Sequence, residues 1–251
     1  MLKISIVTVC YNSSKTILDT INSVNSQSYP EIEHIFVDGL SSDNTVEIIN
    51  LNSQTKNVVV SEKDNGLYDA INKGISIATG DVIGFLHSDD LLASSSIILD
   101  LMTEMKSKKL DGIYGDLEYV DKEDTNKIIR YWKSCEFRYA ILKQGWMPAH
   151  PTLFLKKQVY DKHGGFNTSY KIAADYDFML RILKDNDLEY GYLPKVFTKM
   201  RVGGASNRSL KNIIQKTRED YRAISSNNIG GWFSIFLKNA SKIKQFKINL
   251  W

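Results

Sequence analysis

The sequence predicts an α/β protein built on a doubly wound, mostly parallel sheet flanked by helices. Three observations carry that prediction. Four short apolar segments, Ile4 to Val9, His34 to Val37, Val58 to Val60 and Val82 to Leu86, alternate with segments of helical period over the first hundred residues. Each apolar segment ends in a polar cluster, where strands of such sheets present ligand sites. The chain has 251 residues, 43% hydrophobic and 24% charged, enough for a full globular core.

The first strand ends at Cys10-Tyr11-Asn12. Ser13 or Ser14 is expected to cap a helix whose apolar positions Ile17, Leu18, Ile21 and Val24 follow a helical period, and Tyr29-Pro30 bounds it. The second strand ends in Asp38-Gly39. Ser41, Ser42 and Asp43 then open a helix bearing Val46, Ile48 and Ile49. Capping accounts for Ser42 and Asp43 but not for Asp38, which precedes the cap and is a ligand-contact candidate. Glu62 to Asn65 follow the third strand, before a helix through Leu67, Ala70, Ile71 and Ile75.

The organising stretch is Gly80 to Asp90. Its strand runs straight into Asp89 and Asp90. Adjacent carboxylates repel and raise each other's pKa. A hard divalent cation relieves this, and magnesium is usually held by one or two carboxylates with substrate phosphates completing its shell. Ser88-Asp89-Asp90 therefore suits a metal that clamps a diphosphate. The competing reading makes Asp90 the N-cap of a helix starting at Leu91.

The second half is less regular. Gly112 to Tyr119 predicts a strand, Lys127 to Lys133 an edge strand, and Cys135 to Gly145 a helix or ordered loop. A strand at Thr152 to Leu155, a short helix at Lys156 to His163 and a helix at Ala173 to Leu183 follow. Asp175 and Asp177 fall in that helix's first turn, where carboxylates also complement the helix dipole. A strand region at Tyr190 to Met200 and an amphipathic helix at Ser209 to Ile224 complete the pattern.

The net charge of +3 is too small to argue for nucleic acid. Cys10 and Cys135 show no framework spacing, and Cys10 reads as a reduced core thiol. The N-terminus lacks a signal-peptide layout, and no run approaches the roughly 18 apolar residues of a spanning helix. A cytoplasmic protein is expected, unless it is held peripherally at the inner face of a membrane.

The ordered motifs are Val7 to Asn12, Val37-Asp38-Gly39 with Ser41, Ser42, Asp43 and Thr45, Asp64 to Gly74, and Ser88-Asp89-Asp90. Downstream come His150-Pro151-Thr152 with Phe154, Ala174-Asp175-Tyr176-Asp177 and Gly203-Gly204-Ala205-Ser206. In this order and spacing the chain resembles the inverting, family-2-like glycosyltransferases with the GT-A fold. The resemblance implies a glycosyltransferase domain over residues 1–206, divided into a nucleotide-binding half (1–110) and an acceptor half (111–206). Residues 207–251 form a helical C-terminal extension.

The resemblance also implies roles. Asp38 takes the base of a nucleotide-sugar, usually uracil. Thr8 and Tyr11 line the nucleotide, Asp69 belongs to the donor pocket, and Asp89 lies by the ribose and diphosphate. Asp90 holds Mg²⁺ or Mn²⁺, Asp175 is the catalytic base, and His150 lies on the acceptor side. The expected activity is transfer of a sugar, UDP-linked by expectation, to a hydroxyl of a glycan or lipid-linked saccharide in bacterial surface polysaccharide synthesis (O-antigen or capsule). The sequence departs from the family pattern at Gly39, where a second Asp is commoner, and at Ala174, where an acidic residue is commoner.

Two other readings stand beside this one. A sugar nucleotidyltransferase shares the nucleotide-binding half but usually opens with a Gly-rich loop, which Tyr11-Asn12-Ser13-Ser14 is not. A non-catalytic nucleotide-sugar or glycan-binding protein would lack Asp175. Trp232, Phe233, Ile235, Phe236 and Leu237, followed by Lys238, Lys242, Lys244 and Lys247, suit either an interfacial helix on anionic lipid over residues 230–251 or a terminal helix packed on the domain.

Overall fold

The computed structural model describes residues 1–203 and 210–245. Gly204-Ala205-Ser206, the 206/207 boundary and the last residues of the tail, Phe246 to Trp251, lie outside the described residues. The first half runs β1 (Ile4–Cys10), α1 (Ile17–Asn25), β2 (Ile32–Asp38), α2 (Thr45–Asn52), β3 (Lys56–Ser61), α3 (Leu67–Ile77) and β4 (Val82–Phe85). Then come β5 (Leu91–Leu92), α4 (Ile97–Ser107), β6 (Gly112–Val120), β7 (Ile128–Trp132) and α5 (Tyr139–Leu142). A 3₁₀ turn (His150–Thr152), β8 (Phe154–Lys156), α6 (Lys157–His163), α7 (Ala174–Leu183), β9 (Tyr190–Arg201), α8 (Leu210–Ser226) and α9 (Trp232–Gln245) complete it.

These strands form one sheet in the order β3-β2-β1-β4-β8-β6-β9-β5, with β7 on β6. β3, β2, β1 and β4 are mutually parallel, as the strand–helix alternation requires. β8 is antiparallel to β4 and β6, and β9 runs parallel to β6. Both faces are covered, so strand residues divide by parity. Val7, Val9, Ile35 and Val37 pack with Ala70 and Ile71 of α3 and with α7. Ile4 and Ile6 face Ile97 and Leu101 of α4, while Cys10 and Phe36 face Ile17, Ile21 and Ile49. Gly84 in β4 keeps the sheet tight: a Cβ there would lie 2.1 Å from the Phe154 ring.

Three local expectations are corrected. Neither Ser13 nor Ser14 caps α1. Thr16 holds the N-cap position, without a side-chain cap bond, and the Ser13 carbonyl accepts the Thr16 and Ile17 N–H groups instead. Asn44, not Ser42 or Asp43, holds that position on α2. The Asp43 carboxylate ties two loops together, accepting the N–H groups of Ser14 and Thr45, each at 3.1 Å. No helix starts at Leu91. Leu91 and Leu92 pair antiparallel with Lys199 and Thr198 of β9, and helix resumes at Ile97. The free edge of β9 satisfies backbone groups that the sequence alone assigns to a helix.

The C-terminal helices lie on the second half of the domain. Ala223, Ile224, Ile229 and Ile235 join the core cluster containing α7. Packing therefore accounts for one face of α9, including Ser234 and Lys238, both buried. Trp232, Phe233 and Phe236 are 60%, 72% and 66% exposed on the other. No helix among the described residues is long and apolar enough to cross a membrane.

Candidate active site

The carboxyl ends of β1 and β2 meet in register at Cys10 and Asp38. Asp38 is wholly buried. Its carboxylate accepts the Ser41 N–H at 3.0 Å, the Ser61 hydroxyl at 2.6 Å and the Ser41 hydroxyl. Cys10 is a free buried thiol. Burial first, then the Asp38 charge, pushes that thiol up and keeps it a donor, with Sγ 3.8 Å from Asp38 Oδ1. Asp38 thus anchors the loops after β1, β2 and β3.

Gly39, beside it, forms a close approach. A Cβ there would lie 2.6 Å from Asp64 Oδ2 and 3.4 Å from the Tyr11 ring. A carboxylate does stand where the sequence lacks the commoner second Asp, and Asp64 supplies it. Tyr11 is 64% exposed. Thr8 is not at the surface. It lies on the helix-α1 face of β1, buried, with Oγ1 2.9 Å from His34 Nε2. Asp69, in the first turn of α3, accepts the Asn65 N–H at 2.9 Å and pairs with Lys73 at 3.5 Å. These contacts secure the start of the helix.

β4 delivers Asp89 and Asp90 beside the end of β9. Asp90 is 1% exposed; Oδ1 accepts the Arg201 N–H at 3.3 Å, and Oδ2 is buried with no hydrogen-bond partner. Burial, then the Asp89 charge, raises the Asp90 carboxyl well above its usual range, against the pull of Arg201. The Arg201 guanidinium donates to the Asp89 carbonyl at 2.8 Å and pairs with Asp19. An orphaned, buried carboxylate oxygen beside a second carboxylate is the donor chemistry of a hard divalent cation. Among the described residues no cluster of three or more His, Cys, Asp or Glu side chains forms a metal site, so most ligands of such a cation would come from substrate and water.

Asp175 stands in the first turn of α7. Its Oδ1 accepts the Tyr176 N–H at 2.8 Å and the Tyr68 hydroxyl at 3.4 Å. The same hydroxyl donates to the Ile172 carbonyl at 2.6 Å, joining α3 to the start of α7. Burial pushes the Asp175 carboxyl up, against Lys238 and Lys216. Burial also pushes the His87 imidazole down, against the charges of Asp89 and Asp175. Tyr119 of β6 is pushed up by burial, against Arg130, with the Asp90 and Asp175 charges adding to the rise. Asp89, Asp90 and Asp175 therefore share one electrostatic neighbourhood around His87 and Tyr119. Asp177 is committed elsewhere: it accepts Arg181 Nε at 3.0 Å and Asn227 Nδ2 at 3.1 Å.

His150 stacks on Phe85 at 5.2 Å and lies 5.9 Å from the His87 ring. Burial lowers it to about 3, so it is neutral, and its Nε2 has no hydrogen-bond partner. Arg201, Asp64, His87 and Lys238 escaped assignment from the sequence. A strand-end arginine and a tail lysine carry no local signal of a site. Asp64 lies inside a quoted motif and His87 inside the Gly80 to Asp90 stretch, and the missing residue at Gly39 is the available hint for Asp64.

A doubly wound sheet with an Asp-Asp loop and a third carboxylate near its carboxyl edge is the arrangement expected from the resemblance to GT-A glycosyltransferases. The model of the family described as glycosyl transferase family 2 matches residues 5–171, and the chain belongs to that family. A PGL/p-HBAD biosynthesis glycosyltransferase of Mycobacterium bovis is 26% identical over 230 residues, covering 88% of this chain and 87% of that protein. An uncharacterized glycosyltransferase of Mycobacterium tuberculosis is 30% identical over 182 residues, 71% of this chain and 68% of that protein. Among solved structures, S. aureus TarS 1-349 in complex with UDP-GlcNAc superposes with a TM-score of 0.69 at 18% identity, covering 89% of this chain and 66% of that one. The chain spans 40% of a longer TarS chain. A mannosyltransferase from Pyrobaculum calidifontis in complex with GDP-Man and Mn²⁺ gives 0.65 at 15% identity, covering 97% of this chain and 74% of that one.

Proposed function

We propose that the protein transfers a sugar from a UDP-sugar to an acceptor hydroxyl with inversion, on a glycan or lipid-linked saccharide of a bacterial surface polysaccharide. The observation that carries this reading is that Asp175 and Asp89 both act on His87, while Asp175 Oδ1 accepts the hydroxyl of Tyr68 from the nucleotide half. Tyr11 and Gly39 receive the base, over the frame that Asp38 holds, with Asp64 alongside. Asp175 takes the acceptor proton as the hydroxyl oxygen attacks the anomeric carbon. The bond from that carbon to the diphosphate oxygen breaks, and the diphosphate leaves with the electron pair. Attack opposite the leaving group inverts the configuration. Mg²⁺ or Mn²⁺, held by Asp90 with Asp89 beside it, would neutralise charge on the leaving diphosphate.

The exposed Trp232, Phe233 and Phe236 support peripheral attachment to the cytoplasmic face of a membrane through residues 230–251. The sequence from Tyr221 to Trp251 contains lysines and an arginine but no Asp or Glu, which suits anionic lipid.

A thermal-shift screen of nucleotide-sugars, with and without Mn²⁺, tests the central reading, since a ligand of the native state raises the melting point. A UDP-sugar should raise it in Mn²⁺ and much less in EDTA. Equal shifts in both would remove the metal, and no shift with any nucleotide-sugar would remove the donor assignment.

A further inference from the structure

The C-terminal helices reach the candidate base from outside the family match. Glu219 of α8 accepts the N–H groups of Lys171 at 3.2 Å, Ile172 at 2.8 Å and Ala173 at 3.0 Å. These donors belong to the turn that leads into α7, with Ala173 at the N-cap position. One carboxylate therefore fixes the turn from which Asp175 projects. The next residue, Asp220, is buried and accepts Lys216 Nζ at 2.6 Å and Lys238 Nζ at 2.9 Å. Lys238, on α9, is itself buried, with Nζ 3.0 Å from the centroid of the Tyr176 ring. Tyr176 is the residue after Asp175.

Packing alone does not call for such a cluster. Burying an ion pair is often no better for stability than burying apolar side chains of the same volume. Here two ammonium groups face the single Asp220 carboxylate, and the field of both reaches Asp175. Among the described residues, the groups facing Asp175 are Tyr68 of α3, His87 of the β4–β5 loop, Tyr119 of β6, Lys216 and Asp220 of α8, and Lys238 of α9. Among them the cations acting on it are the two lysines. We propose that Lys238, with Lys216, is a positioning residue for the reaction: the α8–α9 pair holds Asp175 in its carboxylate form, so the C-terminal helices belong to the catalytic apparatus. This deepens the proposed role of Asp175 as base and rests on it.

Burial lowers the Lys238 ammonium to about 7, against the pull of Asp220. Lys238 is therefore cationic below neutrality, where a carboxylate base loses activity by protonation.

The test is a carbon-13 NMR titration of aspartate carboxyl carbons in the full chain, with Asp175→Asn assigning the signal. An opposite charge nearby typically moves a carboxyl by about 1–3 pH units. Lys238→Met should raise the Asp175 midpoint by about one pH unit, Lys238→Arg should restore it, and Lys216→Met should raise it by less. The acid limb of UDP release from the UDP-sugar chosen in the screen, with water as acceptor, should move in parallel. An unchanged midpoint in folded Lys238→Met overturns the proposal. Should that variant not fold, an unchanged midpoint in Lys216→Met, at a partly exposed position, overturns it equally. The titration needs neither donor nor turnover. Failure of wild type to bind UDP with Mn²⁺ would count against the donor site alone.

Discussion

The Tyr68 hydroxyl stands 3.4 Å from Asp175 Oδ1, across 107 residues of sequence, and is 2.6 Å from the Ile172 carbonyl. One phenol thus links the helix that follows the nucleotide-binding strands to the turn that presents the candidate base. Tyr68→Phe leaves the ring packed against Phe166 at 5.7 Å but removes both bonds. Leaving a buried carbonyl unpaired costs about 1–3 kcal/mol, and the part-buried Ile172 carbonyl loses less. Melting temperature and turnover should both fall, while UDP affinity in Mn²⁺ stays near wild type. Turnover unchanged by the substitution would show that Tyr68 does not position Asp175.

Asp175 and Asp177 should separate cleanly. Asp175→Asn keeps the side-chain size but cannot take a proton, and general-base assistance is worth about 10²–10⁴-fold. Transfer rate should drop by that order with the donor dissociation constant unchanged. Asp177→Asn should instead lower the melting temperature, because it weakens the pairing of Arg181 and the bond to Asn227. Loss of turnover in Asp177→Asn with a normal melting temperature would reverse the assignment.

Asp90→Asn should act oppositely on stability and on metal-dependent binding. The folded Asp90 carboxyl is raised above its unfolded value by burial and by Asp89. Its contribution to stability is therefore present at low pH and lost as pH rises through the folded value. Removing the charge should raise the metal-free melting temperature at neutral pH, while abolishing the further rise that Mn²⁺ with UDP gives the wild type. Retention of that rise in the variant would move the metal away from Asp90.

Glu33 works in the other direction at the opposite end of the strands. It accepts Lys3 Nζ, Ser5 Oγ and Thr79 Oγ1, each at 2.6 Å. Burial alone would raise it, but the bonds from Lys3, Ser5 and Thr79 outweigh burial and hold it at about 2. A depressed carboxyl contributes stability above its unfolded value of 4.5 that is lost as pH falls toward about 2. Glu33→Gln should reduce stability at pH 7 and flatten the decline between those limits in urea denaturation. A decline as steep as wild type would assign acid sensitivity to other carboxylates.

Much of this was legible in the residues themselves. Four apolar segments of strand length, separated by helical periods, determine the parallel half, because backbone hydrogen bonding and two-sided burial admit few other arrangements. The Asp89–Asp90 pair marks a candidate site because uncompensated adjacent carboxylates need an explanation. The cap at Ser13 or Ser14 and the competing helix start at Leu91 fail because the partners that decide them, Asp43 across a loop and the edge of β9, are distant in sequence.

Which carboxylates remain available was decided only by the tertiary structure. Asp38 and Asp177 are the same chemical group as Asp90, yet hydroxyl and N–H donors surround Asp38, and Arg181 with Asn227 engages Asp177. Asp90 Oδ2 is left without a partner. Lysines of a C-terminal segment came to rest in the field of Asp175 because α8 and α9 pack on α7. Periodicity acts between neighbours and can be read along a chain. Electrostatic and hydrogen-bond partnership depends on distances through space, which folding alone sets.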